Sequence, residues 1–198
     1  MAVSAAKLIF MKLNSADYDN IWFSADFHCG HAKIIEYAKR PFKDVEEMDE
    51  AILEAFDNTV SKDDLVFFLG DIAFGEDLAR QTLISMLKKT EVHFIVGNHD
   101  KDYLKTINSL TGSVNSLLDI SIDGQPITLC HYAMRIWHKS HFDSWQLFGH
   151  SHGRLHPVGK QWDVGVDNNN FMPISYEKLK RIMASSPHNE NFIDNSKN

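Results

Sequence analysis

Three short apolar runs in the first half of the chain each end on polar residues. They are Ile21-Trp22-Phe23-Ser24-Ala25 before Asp26, Leu65-Val66-Phe67-Phe68-Leu69 before Gly70-Asp71, and Val92–Val96 before Gly97-Asn98-His99-Asp100. Short, nearly continuous apolar runs of this kind predict strands buried on both faces. Between them the period changes. In 45–60 the apolar positions Met48, Ile52, Leu53, Ala55, Phe56 and Val60 recur at helical spacing, as do Leu78, Leu83, Ile84 and Leu87 in 76–89. A further helix is predicted over 32–39. The order β, α, α, β, α, β predicts parallel strands joined by right-handed crossovers, with a ligand crevice beyond their carboxyl ends.

The second half reads differently. Residues 116–122 and 126–130 flank Asp123-Gly124 and predict a hairpin, and further short strands are predicted at 146–148 and 162–166. A closing helix is predicted over 175–184. Residues 1–20 show no clear period and receive no assignment, and the polar stretch from Pro187 to Asn198 predicts a frayed tail. The whole 1–198 is expected to form a single domain of α/β class, a two-sheet sandwich of mixed strands with helices outside.

Composition narrows the function classes. The 198 residues are 43% hydrophobic and 24% charged, a mix that folds, and the net charge of −7 disfavours binding to long nucleic acid. Two cysteines, Cys29 and Cys130, are too few for a disulfide framework. The apolar run Leu8–Met11 is too short for a signal peptide or a membrane span, so a cytoplasmic protein with no membrane partner is expected. Against this ordinary background stand 11 histidines.

Several of them sit at strand ends, within Asp26-Phe27-His28, Gly97-Asn98-His99-Asp100, Cys130-His131 and Gly149-His150-Ser151-His152, joined by Gly70-Asp71. Each segment alone reads as a turn or cap, but five of them on five strands point to one convergent site. Carboxylate, amide oxygen and imidazole donors without thiolate suit Mn²⁺, Fe²⁺ or Zn²⁺. Asp26, His28, Asp71, Asn98, His131, His150 and His152 outnumber the ligands of a single ion and fit a pair about 3.5–4 Å apart. Glycines 70, 97 and 149 are expected to let the backbone approach the ions.

The series Asp-x-His, Gly-Asp, Gly-Asn-His-Asp, His, Gly-His-x-His from Asp26 to His152 resembles the calcineurin-like metallophosphoesterase superfamily. Asp-x-His-x-Gly-His at 26–31, Arg40-Pro41-Phe42 and Val164-Gly165-Val166-Asp167 resemble its small single-domain bacterial and phage-type members. The resemblance implies a four-layer α-β-β-α arrangement and hydrolysis of phosphomonoesters or phosphodiesters by a hydroxide held between two divalent ions, Mn²⁺ foremost, with Fe²⁺, Zn²⁺ or Ni²⁺ as other occupants. Asp26, His28 and His152 would hold one ion, and Asn98, His131 and His150 the other. Asp71 would bridge them, and His99 would face the substrate as a catalytic acid. Phe74 stands where purple acid phosphatases carry a ligating tyrosine, so no tyrosinate-bound iron is expected.

Candidate substrate contacts are His31, Arg40 and Arg135, the last within a cationic and aromatic stretch, 135–141, that reads as a substrate-facing loop or an exposed helix. Asp167 reads either as a support for the His-rich loop or as a turn cap. The expected partner is a small phosphate ester or a short nucleotide. An inactive scaffold of this fold and a nuclease for short nucleic acids are the other readings, the former weakened because no ligand position is substituted.

Overall fold

The computed structural model describes residues 10–112 and 114–194. Among the described residues nine strands form two sheets. β2 (Ile21–Ser24), β3 (Leu65–Phe68) and β4 (Glu91–Phe94) are parallel neighbours, and the two-residue β9 (Ile174–Ser175) adds to β2 antiparallel. The second sheet runs β1 (Phe10–Leu13), β5 (Leu117–Ile122), β6 (Gln125–Cys130), β7 (Trp145–Phe148), β8 (Gln161–Asp163), with the hairpin β5–β6 antiparallel and the other neighbours parallel. The helices are α1 (Ala32–Ala38), α2 (Val45–Thr59), α3 (Glu76–Lys89), α4 (Leu104–Thr111) and α5 (Tyr176–Ser185).

The alternation within β3 shows how the layers form. Leu65, Phe67 and Leu69 point into a core shared with Ile120, Ile127, Leu129 and Leu147 of the second sheet. Val66 and Phe68 point the other way, onto Met48, Ile52 and Phe56 of α2 and Leu83 and Met86 of α3. Two mixed sheets flanked by helices are therefore the architecture, as the sequence pattern predicts. α5 turns Tyr176, Leu179 and Met183 into the inter-sheet core. The outer face of the second sheet is polar. There Thr128 bonds Asp119 at 2.6 Å, and Gln146 bonds the backbone of Tyr132 and Met134 at 3.2 and 3.3 Å.

Four differences from the sequence expectation have local causes. Within the unassigned N-terminal stretch, 10–13 forms an edge strand, while residues 1–9 lie outside the described residues. α4 escapes periodicity because it is short and rich in β-branched and hydroxyl residues; it is closed by Gly112 at φ 75°. The stretch 135–141 is not an exposed helix: it is irregular up to a 3-10 turn at Ser140–Phe142, and its Trp137 is buried and donates to the Ser144 carbonyl at 3.1 Å. The expected frayed tail is docked as far as it is described: Asn189 is buried and bonds Ser140, Ser144, Asp143 and Lys160.

Candidate metal centre

Parallel pairing brings the carboxyl ends of β2, β3, β4, β6 and β7 to one edge, where the five polar segments interlock. Asp26 N–H donates to Gly70 O, His28 N–H to Asp71 O and Gly149 N–H to His131 O, at 2.9, 3.0 and 3.0 Å. Asp26, His28, Asp71, His150 and His152 all have left-handed backbone, with φ of 61, 53, 57, 65 and 49°. For non-glycine residues that conformation costs on the order of 1–3 kcal/mol each, and the interlocking bonds hold it in place.

The side chains converge. Asp26, His28 and His152 form one group of donors, Asp71, His131 and His150 another, and His28, Asp71 and His99 a third, each with ligand atoms within 4.8 Å of one another. Asp71 Oδ1 accepts the His99 backbone N–H at 2.8 Å, while Oδ2 lies 3.5 Å from His28 Nε2 and 3.3 Å from His131 Nε2. One carboxylate oxygen thus stands between the two sets. Asn98 Oδ1 lies 3.1 Å from His131 Nε2.

Hydrogen bonds on the far side of two of the rings set their tautomers. His131 Nδ1 donates to the Leu69 carbonyl at 2.7 Å, and His152 Nδ1 donates to Asp167 Oδ2 at 2.7 Å. That leaves each Nε2 lone pair turned inward. Asp26 Oδ2 accepts the His150 N–H at 2.9 Å, while Oδ1 is buried with no partner, as are both ring nitrogens of His28 and Nδ1 of His31.

The protein's own charges leave this cluster unbalanced. Burial pushes the Asp26 carboxyl up to about 7 against the pull of His131 and His152, and drives His28 down to about 2. For Asp71 burial acts upward but is outweighed by the hydrogen bond and charge of His131 and the charge of His28, which bring it to about 2. His131 moves the opposite way to about 9, because its bond to Asp71 and the charges of Asp26 and Asp71 exceed its burial penalty. A buried Asp26 oxygen and a buried His28 ring without hydrogen-bond partners, set among carboxylates and imidazoles that displace one another's pKa, are the surroundings a divalent cation satisfies. Oxygen and imidazole donors fit Mn²⁺, Fe²⁺ or Zn²⁺, so the residues present fit a metal centre.

Other predicted residues fall inside and outside this cluster. His31 stacks on the exposed Phe74 ring at 4.7 Å and lies 5.5 Å from the His28 ring and 5.8 Å from His99. Arg40 is corrected: it is 4% exposed and reaches no open surface. Its Nε and Nη2 clamp Asp167 at 2.8 Å each, and the rest of the fork meets the carbonyls of Phe27 and Asp26 at 2.8 and 2.7 Å and Met48 Sδ at 3.2 Å. All five donors are spent, so none remains for a phosphate. Arg135 is exposed and pairs with Glu190 at 2.7 Å, not with any ligand residue. The two readings of Asp167 resolve in favour of support for the His-rich loop.

The glycines act on the carboxylates. A Cβ on Gly97 would lie 2.1 Å from Asp71 Oδ1, and one on Gly149 or Gly165 would lie 2.7 or 2.5 Å from Asp26 Oδ2. Two supporting carboxylates went unassigned in the sequence. Asp100 is buried and accepts N–H bonds from Gly97 and Asp71 at 2.7 and 2.8 Å. Asp163 accepts from Gly153, Ser151 and Gly165 at 3.0, 2.5 and 2.8 Å. Their sequence signal was adjacency to a ligand segment and to a strand end, which many turn aspartates share.

Among the described residues no helix is long and apolar enough to cross a membrane. The chain is 30% identical over 172 residues to an uncharacterized protein of Methanocaldococcus jannaschii, covering 82% of this chain and 90% of that one. It is 36% identical over 83 residues to the Gene 66 protein of Mycobacterium phage L5, covering 41% of this chain and 40% of that one. A solved Aquifex aeolicus protein of unknown function shares the fold, with TM-score 0.62 and 21% identity over 82% of this chain and 98% of that one. Residues 20–174 match the calcineurin-like phosphoesterase family, and with strand ends, donor set and fold in agreement the chain belongs to that family.

Proposed function

We propose that the protein hydrolyses phosphate esters at a dinuclear metal centre held by Asp26, His28, Asp71, Asn98, His131, His150 and His152. The observation that carries this reading is the buried, unpartnered Asp26 Oδ1 and His28 imidazole facing Asp71 Oδ2. Divalent ions bound there, most simply Mn²⁺, would neutralise phosphoryl oxygens and lower the pKa of water. The remaining work falls to the chain. Asp71 is aligned by the His99 N–H and fixed by Asp100, so its Oδ2 serves both ligand sets without rotating. His99 is half-buried beside His28, with rings 5.2 Å apart, and holds the proton that the departing alkoxide takes. His31, kept in orientation by Phe74, donates to a phosphoryl oxygen. No covalent intermediate on the protein is needed.

The test is hydrolysis of bis(p-nitrophenyl) phosphate and p-nitrophenyl phosphate with Mn²⁺ before and after exhaustive chelation. Metal-dependent release from either compound supports the reading, and the ratio between them assigns diesterase or monoesterase. Undiminished activity after chelation, or none with Mn²⁺ bound, would overturn it, the latter in favour of a scaffold.

A further inference from the structure

Arg40 follows the end of α1 and buries a charge, which is costly unless every donor is satisfied. Its partners all lie on one side of the centre. Through Asp167 the guanidinium reaches His152 Nδ1, and through the Asp26 and Phe27 carbonyls it pins the turn that carries Asp26 and His28. That turn holds left-handed residues at 26 and 28, so an external clamp on its carbonyls matters. The Phe171 ring lies 6.0 Å from the guanidinium and meets Phe42 edge-on at 4.9 Å, closing the pocket over the arginine. This accounts for the spacing of Arg40 and Phe42. At the other position His131 is anchored on Leu69 O and Asp71 on His99 and Asp100, while the His150 N–H bonds Asp26 Oδ2 and its ring stands free of Arg40 and Asp167.

We infer that Arg40 and Asp167 are positioning residues for one ion position only, that of Asp26, His28 and His152, and leave the position of Asn98, His131 and His150 unaffected. The inference rests on the dinuclear reading and adds an asymmetry to it. Asp167 keeps the proton of His152 on Nδ1 and the Nε2 lone pair toward Asp26. Arg40 holds Asp167 in a fixed fork that lysine cannot reproduce.

The test is Mn²⁺ binding to the full chain by calorimetry, with bound metal counted by elemental analysis and folding followed by circular dichroism. Arg40→Met alone would leave the Asp167 carboxylate buried without the guanidinium and Asp167→Asn alone the guanidinium without the carboxylate, so Asp167→Asn is paired with the double Arg40→Met/Asp167→Asn, which removes both charges together. The wild type is expected to bind two ions. In both variants one binding phase weakens by about 10–100-fold while the other stays within about twofold. Asp167→Asn combined with His150→Ala weakens both phases. Two phases that move together, or both unmoved in folded Asp167→Asn protein, overturn the inference. A wild type that binds no Mn²⁺ overturns the functional reading itself, so the two failures are distinguishable.

Discussion

The two halves of the centre are built from the same residue types but supported by different means. Around Asp26, His28 and His152 the support comes from side chains: Arg40 on Asp167, Asp167 on His152, and Asp49 on the Gly30 amide at 2.8 and 3.1 Å. Around Asp71, His131 and His150 it is mostly main chain, through Leu69 O and the His99 amide, with Asp100 bracing the loop. The His150 ring is exposed beside Tyr132 at 4.9 Å. A side-chain relay can be cut by one substitution, whereas main-chain support yields only to changes that move the strand end. Asp71 Oδ2 faces both halves, so damage there is shared.

The largest expected effect follows from that sharing. Asp71→Ala should abolish hydrolysis of bis(p-nitrophenyl) phosphate and lower metal content at both positions. Retention of one full ion equivalent would show that the halves are independent. His99→Ala should lower kcat by about 10²–10⁴ with both ions still bound, as read by steady-state kinetics and elemental analysis. Full activity would remove the acid role, and loss of metal would make His99 a ligand of the group it shares with His28 and Asp71.

Packing offers a finer comparison. Gly97→Ala presses on Asp71 and Gly165→Ala on Asp26, and each should cost about 1–3 kcal/mol in denaturant unfolding. The first should weaken both Mn²⁺ phases, and the second mainly that of Asp26, His28 and His152, reaching the other through the His150 N–H on Asp26 Oδ2. Smallest is a change outside the ligands. Burial outweighs the Gly30 amide and pushes the Asp49 carboxyl from 3.8 up to about 6. Between those values the folded state binds more protons than the unfolded one, so this contribution falls as pH rises through the window. Asp49→Asn should therefore stabilise the protein at pH 7 by on the order of 1 kcal/mol after allowance for solvent screening, and not at pH 4. An equal gain at both values would assign the effect to something other than charge.

Much of this was readable along the chain. β2 and β3 were legible because unbroken apolar runs have few other stable placements, and α2 because Met48, Ile52 and Phe56 repeat on one face. The seven proposed ligands were legible because each lies at the end of such a run. Arg40 was not, because an arginine after a helix looks the same whether solvated or buried; its five contacts come from residues 8 to 127 positions away. β1 and the docking of 187–194 were hidden for the same reason, since edge pairing and a buried Asn189 depend on partners far along the chain.

Which residues end each strand, and which donor chemistry they carry, could be read from residue order alone, because hydrophobic period and residue type are local properties. Packing was needed to select the oxygen of Asp71 that stands between His28 and His131 and the nitrogen of His152 that turns inward, and to join Arg40 to Asp167. Those choices are hydrogen bonds between distant segments, and their geometry exists only after the two sheets have packed.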